Sequence, residues 1–267
     1  MMKKMSRPVT MGLALTLMIL SGCDSTSTKQ EEMAPPPIPA DVFVLQTSLF
    51  QPGTAKTATR VHYLAAALRV WPVSLILSVN LVVPTAVTAA ALGAQPVFED
   101  GAWKWTATTT SEGSTFTFTL TARPSLSGFD WSMRISSDGS GTGPAFDNFE
   151  LYTAHTALTG TTGDWQLFYP IEGIRTNVLN ADFDFSGDTD VTTFSLPKTL
   201  PEHGGDSVRY EVNGNDRRFF WQQIAESLDH DVNWDAVTRA GAIVATNYNG
   251  GDMGCWDAQL DDVACAN

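Results

Sequence analysis

From Gly101 onward the chain alternates between apolar and polar residues. In Ser114 to Arg123, Phe116, Phe118, Leu120 and Ala122 take every second position, and Thr115, Thr117, Thr119 and Thr121 take the others. A period of two sends these sets to opposite faces of a strand, and Thr and Phe both suit that backbone. Ala102 to Thr110, with Trp103 and Trp105 on one face, precedes it across Ser111-Glu112-Gly113, which predicts a hairpin. Phe129, Trp131, Met133 and Ile135 repeat the pattern against Asp130, Ser132, Arg134 and Ser136, and the Gly-rich run Asp138 to Gly143 ends it. Phe149 and Leu151, then Trp165 and Leu167, then Leu179, Ala181, Phe183 and Phe185 continue the series. Val208, Tyr210 and Val212 lead into Asn213-Gly214, a strong hairpin signal. Val232 to Val237 and Ala242 to Tyr248 flank Thr238-Arg239-Ala240-Gly241 as the last hairpin. Connections this short join antiparallel neighbours, because parallel pairing needs long crossovers. The pattern predicts a mainly β fold, an antiparallel up-and-down meander of about nine or ten strands curling into a barrel or half-barrel.

Ahead of the strands the pattern changes. Between Arg69 and Glu99 there is no charged residue, and the run Val70-Trp71-Pro72-Val73-Ser74-Leu75-Ile76-Leu77 continues through Leu81-Val82-Val83 to Ala91-Leu92. A helix apolar all round is buried in protein or in lipid. The expectation is a helical segment over about residues 58–95, a pair of helices broken near Pro84, packed against or inside the sheet. Insertion of residues 70–92 in a membrane is the other placement that the length allows.

The first residues carry a third pattern. Lys3, Lys4 and Arg7 precede an uncharged apolar run from Val9 to Leu20, which is too short to span a bilayer and reads as a secretory signal. It ends in Leu20-Ser21-Gly22-Cys23, which resembles the lipobox of bacterial lipoproteins. The resemblance implies cleavage before Cys23, lipidation of that cysteine, and a membrane partner held through the lipid. Asp24 resembles the inner-membrane retention signal of enteric lipoproteins, while Glu31-Glu32 fits an export signal elsewhere, so either membrane of the cell envelope stays open. Residues 24–40, rich in Ser, Thr, Glu, Gln and Pro, read as a tether. The expected organisation is therefore a signal peptide at 1–22, a lipidated tether at 23–40, and one domain at 41–267. Within that domain the strands occupy about residues 102–248.

Charge narrows the partners. Sixteen basic and 29 acidic residues give a formal net charge of -13, and no basic stripe offsets it, so a phosphate backbone would be repelled. Nucleic acid is not an expected partner. With Cys23 assigned to lipid, Cys255 and Cys265 remain as an even pair in an exported chain, where disulfides persist. They are expected to bridge and close the tail at 249–267. Gly254-Cys255-Trp256-Asp257, behind a meander opening at Gly101-Ala102-Trp103-Lys104-Trp105, resembles β-meander lipoproteins of the bacterial envelope.

Candidate chemistry is sparse. Asp182, Asp184, Ser186, Asp188 and Asp190 place oxygens at alternate positions around Gly187, as the start of a calcium loop does, but Thr193 stands where a bidentate Glu belongs. Gly205-Asp206-Ser207 resembles the nucleophile block of GDS-type esterases, with Asp229-His230 as the imaginable partner. Asp229-His230-Asp231 otherwise reads as a solvated turn. Trp103, Trp105, Trp131 and Trp165 either pack the core or line a cavity for a lipid-like or apolar ligand. The leading expectation is a non-enzymatic structural or apolar-ligand-binding envelope protein without a cofactor. A calcium-binding module or hydrolase built on residues 182–190 is the competing one.

Overall fold

A computed structural model describes residues 34–38, 42, 44–51, 59–111, 113–140, 145–201 and 203–265. The expected signal peptide, the lipobox and Cys23 lie outside the described residues. Among the described residues one α-helix, α1 (Val61–Gly93), precedes the sheet. The strands are β1 (Val97–Glu99), β2 (Ala102–Ser111), β3 (Ser114–Pro124), β4 (Gly128–Ser137), β5 (Phe146–Ala157), β6 (Thr162–Ile171) and β7 (Ile174–Asp184). After them come β8 (Asp190–Ser195), β9 (Ser207–Asn213), β10 (Asp216–Gln223), β11 (Leu228–Asp235), β12 (Gly241–Ala245), β13 (Gly254–Trp256) and β14 (Asp262–Val263). Each pairs antiparallel with the next, in one 14-stranded sheet whose spatial order is the chain order. Among the described residues the first and last strands do not pair, so of the expected barrel or half-barrel the closed barrel is corrected to an open sheet. The extra strands are short or lie where the pattern read as loop: β1, β13 and β14 have three residues or fewer, and β8 begins in the acidic run.

The register stacks inward side chains into rows across the strands. One row reads Trp103, Ala122, Trp131, Ala154, Trp165, Ala181, Phe194, Val208, Trp221, His230, Ala245. From β2 to β8 a large ring alternates with alanine, so each indole lies over a neighbour too small to collide with it. The parallel row reads Phe129, Thr156, Gly163, Phe183, Thr192, Tyr210, Phe219, Val232, Ile243, with two small residues between the rings of Phe129 and Phe183 and with Tyr210 directly beside Phe219. Gly163 belongs there because a Cβ would lie 2.8 Å from the Phe183 ring. Such interdigitation fills a core to native density.

Helix α1 covers part of this inner face. It buries Tyr63, Ala66, Val70, Ser74, Leu77 and Leu81, three and four residues apart, as one stripe. It touches β11 to β14 near one edge of the sheet and β2 near the other. The helix is continuous through Pro72 and Pro84, which corrects the expected break near Pro84. An interior proline costs one backbone hydrogen bond and a clash one turn back, and packing of the stripe on both sides of Pro72 offsets that loss. The outward side is apolar but uncovered, with Leu68 75% and Ile76 61% exposed. The window Val61–Ser78 is long and apolar enough to cross a membrane, and 33% of it is buried in the protein.

At the start of α1 the far end of the chain supplies capping carboxylates. Asp262 on β14 accepts the Val61 N–H and the His62 N–H, both at 2.9 Å, while Asp261 accepts from Thr59 and Arg60. Those are among the N–H groups that the first turn of a helix leaves unpaired, at the positive end of its dipole. Cys255 and Cys265 are disulfide-bonded with Cα atoms 5.3 Å apart, as expected, and they bracket Asp262. Above this clamp Phe50 packs against Tyr63, Trp234 and Trp256 with ring centroids 5.8, 4.9 and 6.3 Å away. Upstream, Pro36 is buried and Ile38 packs against the core, so part of the segment read as tether belongs to the packed chain.

Candidate binding cleft

Where the N-terminal segment crosses the inner face, the packing leaves a partly open cleft of about 200 Å³. Asp190, Thr192, Tyr210 and Val212 line its floor from β8 and β9, Phe185 comes from the β7–β8 connection, and Val44 and Gln46 form the lip. Alternation along β8 and β9 puts Asp190, Thr192, Tyr210 and Val212 on one face, and the register places them side by side. The buried Tyr210 hydroxyl accepts the Gln46 backbone N–H at 3.3 Å, and burial pushes its pKa up.

Arg217 lies in the same inward row as Asp190, with Val212 between them. Its guanidinium is buried yet meets only neutral oxygens. Nε and Nη2 donate to Gln46 Oε1 at 3.1 and 2.8 Å, and Nη1 donates to the carbonyls of Gly214 and Asp216 at 2.7 and 3.0 Å. No ion pair to Arg217 occurs among the described residues. The cleft therefore offers hydroxyls, an amide and one carboxylate beside a neutrally solvated cation. It can hold water or a small polar group, since ligand sites usually enclose about 300–1,000 Å³.

A second polar cluster joins α1 to the sheet. Arg69 Nε donates to His230 Nδ1 at 3.2 Å, Nη1 to the Ala65 carbonyl at 2.9 Å and Nη2 to Asn247 Oδ1 at 2.7 Å, with Cζ 5.4 Å from the Tyr248 ring centre. Because His230 Nδ1 accepts, its Nε2 carries the proton and donates to Gln223 Oε1 at 3.0 Å. The imidazole is 2% exposed, and burial first, then the Arg69 charge, pulls its pKa down. Burial also lowers the pKa of Arg69. His230 thus faces inward from β11, which corrects the solvated turn read from Asp229-His230-Asp231.

The structure separates most of the residues that the sequence brings to mind together. Ser207 pairs across to Gln222, which pairs on to Asp229, in a row on the outer face, whereas Val208, Trp221 and His230 share the inner row, so Ser207 and His230 point to opposite sides. Asp206 is buried and holds loops, accepting the Ile224 N–H at 2.8 Å and facing His203 Nδ1 at 3.1 Å. That geometry removes the triad. The calcium candidates are likewise dispersed. Asp182 pairs across to Asp164 and Thr193, Asp184 accepts from the N–H and hydroxyl of Ser186 at 2.9 and 2.6 Å, Ser186 is bound in that turn, Asp188 is exposed, and Asp190 borders the cleft. Among the described residues no three or more His, Cys, Asp or Glu side chains are arranged to hold a metal.

The four tryptophans do share the inner face, but as packing. Trp103, Trp105, Trp131 and Trp165 are 6%, 4%, 2% and 3% exposed, Trp105 stacks on Trp131 at 5.9 Å, and Trp131 Nε1 donates to Thr156 Oγ1 at 2.9 Å. None of them lines the cleft. Gln46 and Arg217, which shape it, carry no sequence signal, but Arg69 does as the last charge before a long uncharged run. Searches of protein-family models, of curated proteins and of solved structures return no match to this chain.

Proposed function

We propose that this chain is a non-enzymatic structural protein of the bacterial cell envelope, tethered to a membrane through lipid on Cys23. The address rests on Leu20-Ser21-Gly22-Cys23 behind its basic and apolar leader. The structural role rests on one observation, the inward row in which Trp103, Trp131 and Trp165 alternate with Ala122, Ala154 and Ala181. A carrier keeps room for its cargo, and here that room is taken by side chains. The cleft of about 200 Å³ at Tyr210 is too small for an acyl chain. In this reading the sheet is a half-barrel and α1, touching β2 and β11 to β14, spans its open side. Palmitate labelling of the full chain in a bacterial host tests the address, with label expected on the wild type and lost in Cys23→Ala. Native mass spectrometry of the labelled protein after detergent removal tests the role. A bare lipidated mass is expected, and a stoichiometric additional lipid overturns the scaffold in favour of a carrier.

A further inference from the structure

The two edges of the sheet are built differently. At one end β13 and β14 have three and two residues. At the other end β1 pairs only with Ala102, Trp103 and Lys104, and β2 runs seven residues further, to Ser111. The direction of each backbone group there follows from the hairpins. Ser111↔Ser114 closes the β2–β3 turn and Glu99↔Ala102 closes the β1–β2 turn, and hydrogen-bonded pairs then alternate along each ladder. Trp105, Ala107, Thr109 and Ser111 bond to β3, while Ala102 and Lys104 bond to β1. Consistently, the Thr115 carbonyl turns away from Thr110 and accepts the Asp138 N–H at 3.3 Å. The N–H and C=O of Thr106, Thr108 and Thr110 therefore face outward, beyond the reach of β1.

Among the described residues nothing blunts this edge beyond Lys104. Proteins protect exposed edge strands with charge, proline, a bulge or a cover. From Trp105 to Ser111 β2 has no charge and no proline, its pairing with β3 runs without a register shift, and Thr106, Thr108, Thr109 and Thr110 are all exposed. We infer that this edge pairs antiparallel with the same edge of a second copy of the chain. Two-fold pairing sets the three outward threonines of one copy against those of the other, an isologous contact of like residues that pair well across strands. Charge selects the place. Two chains of net charge -13 repel one another over most of their surface, and here an uncharged strand is offered. The pairing forms about six backbone hydrogen bonds, two for each facing pair. Its area falls below the 1,200 Å² or so typical of stable interfaces, so the dimer is weak and concentration-dependent.

Sedimentation velocity of the full chain, from micromolar to millimolar, tests this. A monomer–dimer equilibrium is expected. Thr108→Pro removes an outward N–H and leaves the β3 ladder intact, and it weakens dimerisation by about tenfold or more, the equivalent of two lost backbone hydrogen bonds per dimer. Thr108→Lys sets like charges at the contact and gives the same result with no change of backbone. Both variants keep the wild-type melting temperature of the monomer to within a few degrees. A chain that stays monomeric throughout the series, or a dimer that both variants leave unchanged, overturns the inference.

Discussion

Asp262→Ala isolates the side-chain interaction by which the last strand caps the first helix. The carboxylate accepts two N–H groups at 2.9 Å each, and alanine leaves both to water. Loss of a side-chain cap costs about 0.5–2 kcal/mol, and loss of a negative charge at the helix start costs about 0.3–1 kcal/mol. The two effects share the same atoms, so the expected total is about 1–2 kcal/mol. In a domain of this size that lowers the melting temperature by about 2–8 °C. Asp262→Asn keeps an acceptor without the charge and falls between. The disulfide adds a second layer, because Cys255 and Cys265 hold the loop that carries Asp262. With both changed to serine, β14 is free to leave and the cap is only partly occupied. Asp262→Ala then costs less than in the oxidised protein, a coupling that a double-mutant cycle by thermal circular dichroism measures directly. An oxidised Asp262→Ala protein that melts with the wild type refutes the capping role. Equal costs with and without the disulfide refute the coupling.

Two further outcomes follow from the inner face. Trp165→Ala, at a site 3% exposed between Ala154 and Ala181, is expected to cost about 3–5 kcal/mol in urea unfolding, whereas Ala154→Leu, which pushes a larger side chain between Trp131 and Trp165, is expected to cost about 1–3 kcal/mol; if Ala154→Leu is neutral, the row is not tightly packed. His230 makes stability depend on pH, with Arg69, Asp229 and Glu226 as the charges that act on it. Its folded pKa lies below the unfolded value of about 6.5, so its contribution is whole above that pH and is lost as pH falls through the folded value. Urea midpoints at pH 7.5 and pH 5 are therefore expected to differ more in the wild type than in His230→Gln, and equal differences would count against a buried neutral imidazole.

Much of this architecture is legible in the chain because an alternation of two leaves little freedom. Phe116 to Ala122 and Phe129 to Ile135 appear as strands facing as expected. The same rule, applied to Leu228, His230, Val232 and Trp234, places His230 inward, and the flanking acids Asp229 and Asp231 obscure it. Strand number is harder to read, because β13 and β14 are shorter than any period and exist through contacts with α1 and the disulfide. The break expected near Pro84 does not occur, and the helix runs on to Gly93. The tryptophans show a different limit. Their inward direction follows from each strand alone, but the alternation with alanine depends on register, which only the assembled sheet defines. The triad reading fails because Ser207 and His230 lie in rows that face opposite sides of the sheet, and the run Asp182 to Asp190 is divided between the outer face of β7, a turn and the start of β8, which spacing in the sequence does not show.

The asymmetry of the two edges connects these observations. On the β14 side the chain brings together a disulfide, a carboxylate cap and the aromatic cluster of Phe50, Tyr63, Trp234 and Trp256 around very short strands. The cap and the contacts of Phe50 and Tyr63 with Trp234 and Trp256 are long-range, so that edge is determined by residues roughly 200 positions apart in the chain and offers little unpaired backbone. On the β2 side the outer half of the strand, Trp105 to Ser111, pairs with β3, and the outward backbone groups of Thr106, Thr108 and Thr110 are left to solvent. Water can satisfy them, so exposure there carries no energetic penalty that folding must offset. The absence of charge and proline is therefore not a requirement of the fold, and a lysine at Thr106, Thr108 or Thr110 would fit the exposed face equally well. That every one of the three is instead a residue suited to cross-strand pairing is what sets this edge apart from a merely unfinished one.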